Sequence, residues 1–352
     1  MILWGTYPAA GLGTPPGTGE GLWLHSGAAA RALELPAPSF LVRHPRLPLA
    51  YAACETSESA VVVVDLARAS RHQLSVVATV PTRGDSACHL LLAPDARALY
   101  VSHYGSGSVA VIALGEDGLP VGDGPAQEFA LLGTPTGAAG VPDRQAARHA
   151  HSAALAPGGA HVLVADLGSD ELRRFRRTPH GLEPDGVAAT LPPGAGPRHV
   201  ATRGPLLYVA CELDSTVRTL RWDPASSTAT EIEAHPATAA SPRTADNAPS
   251  HIALVEHDGR EALLVGVRGA DVISVFDVAP EGELAYRGAI DAGHWPRHFA
   301  VAGERLVVGC ERGHEARTFA LADVLTLPGW DPVVDLPHAR AEITSPACAL
   351  PL

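Results

Sequence analysis

The sequence predicts an all-β chain: a seven-bladed β-propeller of four-stranded antiparallel blades, one domain over residues 1–352, closed by its N- and C-terminal strands. Three observations predict it. A unit of short apolar runs and turns recurs, its first strands anchored at 40, 89, 151, 199, 251 and 298, 47 to 62 residues apart. That period, with several strands per unit, is the signature of propeller blades. High Gly and Pro content (35 and 31 residues) favours many short elements joined by turns. No amphipathic pattern longer than a couple of helical turns is visible.

Taken in order, Ile2-Leu3-Trp4 and Leu22-Trp23-Leu24 are strand-like pieces ahead of the first full unit. That unit runs from Phe40 through Leu49-Ala50-Tyr51-Ala52 to Val61-Val62-Val63-Val64. The clearest copy follows: His89-Leu90-Leu91-Leu92, a turn at Pro94-Asp95-Ala96-Arg97, Leu99-Tyr100-Val101-Ser102, and Ser108-Val109-Ala110-Val111-Ile112. Gln127 to Leu132 supplies its fourth strand. Further copies open at His151, His199, His251 and His298. Six anchors leave strand material at both ends, and pairing residues 1–25 with 341–352 completes a seventh blade and removes the open edges of an unclosed array.

The net charge is -12, and every basic residue is arginine, with no lysine anywhere. This removes P-loop and Schiff-base lysine chemistry, and the acidic balance argues against nucleic acid. The run Arg173, Arg174, Arg176 and Arg177 reads as a solvated strand face. Five cysteines without a C-x-x-C pair fit neither a disulfide framework nor a zinc ribbon. No apolar run reaches the roughly 20 residues of a membrane span, and no signal-peptide pattern opens the chain. The expected setting is cytoplasmic, with no membrane partner; oligomeric state is left open.

In a meander, the start of the first strand and the end of the second lie at one edge. The repeat therefore gathers on one rim the anchor histidines, the preceding Arg198 and Arg297, and the strand-end residues Glu55, Glu212, Arg268 and Glu311. His89, His199, His251 and His298 are expected to be chiefly structural, each bonding a neighbouring blade's backbone. His149 and His151 alternate onto one side of their strand, a pair that could ligate a metal only with a further ligand; no metal site and no cofactor is predicted. Arg198 and Glu212 face each other across one hairpin, as a structural salt bridge or as an anion anchor beside a base. Cys54, Cys211 and Cys310 are expected to be small buried residues rather than nucleophiles.

Arg144 to Asp170 (with His149-Ala150-His151-Ser152 and Val164 to Asp170), Gly196-Pro197-Arg198-His199, Cys211-Glu212-Leu213 and Trp295-Pro296-Arg297-His298-Phe299 resemble the seven-bladed lactonase family. That family includes bacterial 6-phosphogluconolactonases and fungal carboxymuconate lactonizing enzymes. The resemblance covers essentially the whole chain. It implies a catalytic set on His151, Arg198, Glu212 and Arg268; His149, Arg297 and His298 complete the candidates as substrate contacts. Pro-Asp-Gly hairpins usual in the family are eroded to Pro94-Asp95-Ala96 and Pro157-Gly158-Gly159.

The expected activity is opening of an anionic, sugar-derived lactone, 6-phosphogluconolactone above all, by metal-independent acid/base catalysis. Glu212 or His151 would activate water, the other donating a proton to the leaving alkoxide, while Arg198 and Arg268 hold the oxyanion or the substrate's anionic group. Two alternatives stand beside it: lactone formation from a muconate, and a propeller used only as a binding scaffold. Connectors 115–148 and 234–249 are expected on the site face, as covers or docking loops.

Overall fold

A computed structural model describes residues 1–7, 21–243, 245–329 and 333–352. They form seven four-stranded antiparallel sheets, with one α-helix among the described residues, the five-residue Leu321–Leu325, and two single 3-10 turns, Ala69–Arg71 and Gly137–Ala139. Six blades are sequential, spanning 38–81, 87–130, 150–190, 197–236, 248–291 and 296–342. The seventh takes its innermost strand, Pro346–Pro351, from the C-terminal end and its other three, Ile2–Thr6, Leu22–His25 and Ala29–Leu33, from the N-terminal end. Leu3 opposite Leu350 and Trp4 opposite Ala349 fix its register.

Alternating apolar residues on both faces of each blade pack against the next blade. Between the last two sequential blades, for example, Leu264, Val275, Ile290, Phe299, Val308 and Phe319 share one cluster. Aromatics are few, and buried Tyr51 and Tyr208 still satisfy their hydroxyls, donating to Gly118 O and Gly282 O at 2.8 Å each.

One irregularity recurs in every blade. Pairing of the innermost strand slips by a residue at its start, between Pro38 and Phe40, Ala87 and His89, Ala150 and Ser152, and so on around the ring. A bulge of this kind re-aims one side chain. The bulged positions are Ser39, Cys88, His151, Arg198, Ser250, Arg297 and Ala347. This corrects the repeat alignment: His151 stands in the place of Arg198 and Arg297, and Ser152 holds the place of His199. Matching histidine to histidine misplaced it by one, because strand pairing, not residue identity, sets the equivalence.

The true histidine ring lies deeper. Phe40 and His89 are 4.2 Å apart and His251 stacks on His298 at 4.0 Å. His89 and His298 accept hydrogen bonds at Nδ1 from the next blade's backbone, Ala153 N–H and Ala349 N–H, both at 3.3 Å. His199 and His251 pair with each other instead, Nδ1 to Nδ1 at 3.0 Å.

The arginine run lies on the outer strand Glu171–Thr178 but is less solvated than its composition suggests. Arg173 pairs with Glu171 at 2.9 Å, Arg174 with Asp185 at 3.0 Å, and Arg177 donates to Gly159 O at 2.7 Å. Residues 127–130 of the first long connector form a strand, as does 228–236 at the start of the second. No helix of the described residues is long and apolar enough to cross a membrane.

Burial pushes His89 and His251 down to about 3 from 6.5, with neighbouring charges adding to it. The unfolded chain therefore binds more protons below pH 6.5, and stability falls with acidification from there towards pH 3. For one such histidine the loss is about 2 kcal/mol at pH 5. His89→Phe, which copies Phe40 of the first blade, is expected to flatten the decline of Tm between pH 7 and 5. An unchanged slope in thermal scans would show that His89 is not a source of it.

Candidate active site

Glu212 follows the second strand of the fourth blade, and its N–H donates to Gly196 O at 2.8 Å. Gly196 adopts φ +62, and a Cβ there would meet Leu213 at 2.4 Å, so glycine is required where the chain turns into Arg198. The Glu212 carboxylate is buried under three guanidiniums. Arg198 Nε and Arg268 Nη2 approach Oε2 at 2.9 and 2.8 Å, and Arg144 Nη2 approaches Oε1 at 2.7 Å. Nε2 of His151 stands 4.0 Å from the same carboxylate.

Burial alone would raise the Glu212 pKa, but Arg268, Arg198 and Arg144 outweigh it and hold the carboxyl well below its usual range. Burial and the charge of Arg198 push His151 well below 6.5, so its imidazole is neutral. Arg198 and Arg268 also donate to backbone carbonyls, of Ser250 and of Ala248 and Pro249 respectively. Arg144 differs in access: its side chain is 40% exposed, against 4% and 8% for Arg198 and Arg268.

Sequence reasoning missed Arg144 as a site residue. It is carried by the connector leading to the third blade, outside the repeat. Buried Gln145 beside it donates to Leu167 O and Asp170 Oδ1, both at 2.8 Å. Asp170 also accepts from Thr136 Oγ1 at 2.6 Å and Gly196 N at 2.7 Å. One buried carboxylate thus ties the Arg144 connector to the turn before Arg198. A Cβ on Gly168 would lie 1.8 Å from Ala147 O, so glycine is what lets the connector pass this close.

A cavity of about 610 Å³ opens above Glu212, within the range of small-molecule sites. His149, His151, Arg198, Arg268 and Arg297 line it. Both connectors reach it too, the first through Val141, Asp143 and Arg144, the second through Ala245, Asp246 and Asn247. His149 stacks on Tyr104 at 4.2 Å, its Nδ1 2.8 Å from Tyr104 O. His298 lies apart from this cavity, at a deeper void of only about 10 Å³ that also touches Phe40 and His199. That space holds no more than a water, and His298 is engaged with the next blade.

Trp295 forms another part of the wall. Its φ of +65 is strained for a bulky residue, and Asp271 holds it by accepting its N–H at 2.9 Å. Arg312 stacks over its ring at 3.4 Å, with Arg268 at 5.6 Å. The remaining surprise is Tyr7. It sits in the closing blade where Glu212 sits in the fourth, its N–H bonded to Ser345 O at 3.0 Å. The phase of Ile2–Thr6 was the signal that could have found it.

A family model described as "Lactonase, 7-bladed beta-propeller" matches residues 26–325. The chain belongs to the seven-bladed β-propeller lactonase family. Among curated lactonase relatives, a 6-phosphogluconolactonase of Bacillus subtilis is 33% identical over 220 residues, 61% of this chain and 60% of that protein. The match therefore spans about three fifths of that relative's length. The solved periplasmic gluconolactonase of Pseudomonas aeruginosa shares the fold, with TM-score 0.81, 23% identity and coverage of 99% of this chain and 98% of that one. A structure from Bacteroides uniformis does likewise, at TM-score 0.79, 24% identity, 99% and 98%.

Glu212 is the only carboxylate that Arg198 and Arg268 touch among the described residues. Breaking a buried ion pair from one side costs about 3–5 kcal/mol. Glu212→Gln is accordingly expected to lower the unfolding free energy by about that much in denaturant titrations. A change under about 1 kcal/mol would mean that the guanidiniums are balanced elsewhere.

Proposed function

We propose that the protein hydrolyses a sugar-derived lactone carrying an anionic group, with 6-phosphogluconolactone the substrate that fits best. The observation that carries this reading is an ionised Glu212 holding three guanidiniums at the floor of a small-molecule cavity, with a neutral imidazole 4.0 Å away. Family membership and the Bacillus subtilis relative's activity support it.

Ester opening needs a base for water and a fixed positive field for the oxyanion. His151 takes the first part. It is neutral and able to accept a proton, and Glu212 faces the imidazolium as it forms. Glu212 is the poorer base, since a carboxylate clasped by Arg144, Arg198 and Arg268 resists protonation. Its part is to aim the guanidiniums. A base as weak as His151 leaves most of the acceleration to that field. Arg144, the accessible cation, takes the substrate's phosphate, where a planar fork suits the anion; His149 and Arg297 complete the walls.

A metal ion is not needed: both oxygens of Glu212 are already occupied by guanidiniums, which leaves a poor donor set for a cation. Five free, buried cysteines favour a reducing, cytoplasmic setting.

Chelator-treated protein is expected to accelerate opening of 6-phosphogluconolactone above its spontaneous rate, and to act less well on the unphosphorylated lactone. No acceleration on either would sink the hydrolase reading, and turnover of a carboxymuconate instead would replace it with cyclisation. Because His151 stays neutral, kcat/KM should hold level from pH 7 to pH 5, measured well below Tm. A fall centred near pH 6.5, the ordinary histidine value, would rule His151 out as a base with the lowered pKa described.

A further inference from the structure

The proposed reaction has a second half. As the tetrahedral intermediate collapses, the departing ring oxygen needs a proton. Glu212 is ionised and guanidiniums do not release their protons, so the donor is either the protonated His151 or a second acid on the cavity wall.

A second ionic cluster lines the same cavity: Tyr7, Glu55 and Arg297, with Glu311 behind. The Tyr7 hydroxyl donates to Glu55 Oε2 at 2.5 Å. Arg297 Nη2 donates to the Tyr7 oxygen, and its guanidinium lies 4.1 Å from the centre of the Tyr7 ring. Arg297 is held in turn by Glu311 Oε2 at 3.0 Å. Arg297 therefore has a task besides substrate contact: its charge opposes the rise in pKa that burial, Glu55 and Glu311 give the Tyr7 hydroxyl. Tyr104 is the other phenol on the cavity wall. Its oxygen accepts from Arg144 at 3.2 Å, and no carboxyl group among the described residues is bonded to it.

We propose that Tyr7 is the general acid of the reaction, delivering its hydroxyl proton to the leaving alkoxide, with Arg297 stabilising the phenolate and Glu55 orienting the hydroxyl. The inference rests on the lactonase reading above. When the C–O bond breaks, its electron pair stays on the ring oxygen, which takes the Tyr7 proton and becomes a hydroxyl. The carbonyl re-forms on the acyl carbon, which keeps the hydroxyl of the attacking water. The proton that His151 took from that water returns through solvent to the Tyr7 phenolate, so one water is consumed and no co-reactant is required. Burial raises the Tyr7 pKa well above 10, which keeps the phenol protonated before the step.

The role predicts a dependence on the leaving group. An aliphatic alkoxide needs the proton, whereas a phenoxide, with a pKa of about 10, leaves without it. The test compares wild type with Tyr7→Phe on 6-phosphogluconolactone, whose leaving group is aliphatic, and on dihydrocoumarin, an aryl lactone. The kcat ratio, aliphatic over aryl, should fall at least about tenfold in the variant, since a positioned acid is worth roughly 10²–10⁴. The ratio is independent of how much of the variant folds. An unchanged ratio, or a fall produced by Tyr104→Phe instead, overturns the proposal. Absence of activity in wild type on both lactones overturns the hydrolase reading itself.

Discussion

The site depends on one balance: a buried carboxylate ionised because three guanidiniums close over it. Each partner is untenable without the others. Glu212 alone would be protonated by burial, and Arg198 and Arg268 alone would be like charges in a poorly solvated space. Together they form a rigid plate of net positive charge at the base of a cavity. The protein as a whole carries a net charge of -12, so attraction for an anion is local to this floor. Everything that positions the plate, from the strand bulge at Arg198 to the Asp170 tether of the Arg144 connector, serves that balance.

The cavity joins two ionic groups of different composition. Around Glu212, guanidiniums outnumber carboxylates. Around Arg297, carboxylates and a phenol outnumber the guanidinium. The proposed ester opening would ask for both characters, since charge builds on one oxygen while a proton is delivered to another. The propeller provides them from different blades, so each can be held by its own backbone contacts without distorting the other.

The ring of blades was legible in the sequence because the fold repeats, and repetition turns weak local signals into a spacing. The same repetition explains where reading stopped. His151 falls in a different register from the one its identity suggests, because a histidine in four of the other blades invites matching by identity, while the pairing slips by one residue between Ala150 and Ser152. Arg144 opens a segment that resembles the family, but it lies on a connector outside the repeat, so the repeat gave it no place at the site. Tyr7 belongs to the blade split between the two ends of the chain, and its equivalence to Glu212 appears only when both ends are paired. His298, expected at the substrate, is engaged with the next blade's backbone.

The recurring bulge has a further consequence. It sets seven side chains at equivalent positions around the ring through the same backbone slip, yet they are as different as Arg198, Cys88 and Ala347. The backbone does not care which residue stands there. Each blade is thus a separately addressable position: Ser250 spends its buried hydroxyl on the backbone of Gly266 and Pro296, whereas Ala347 has no polar atom to spend and is the place where new chemistry can be written by side-chain replacement. A scaffold of this kind can change what it binds without relearning how to fold.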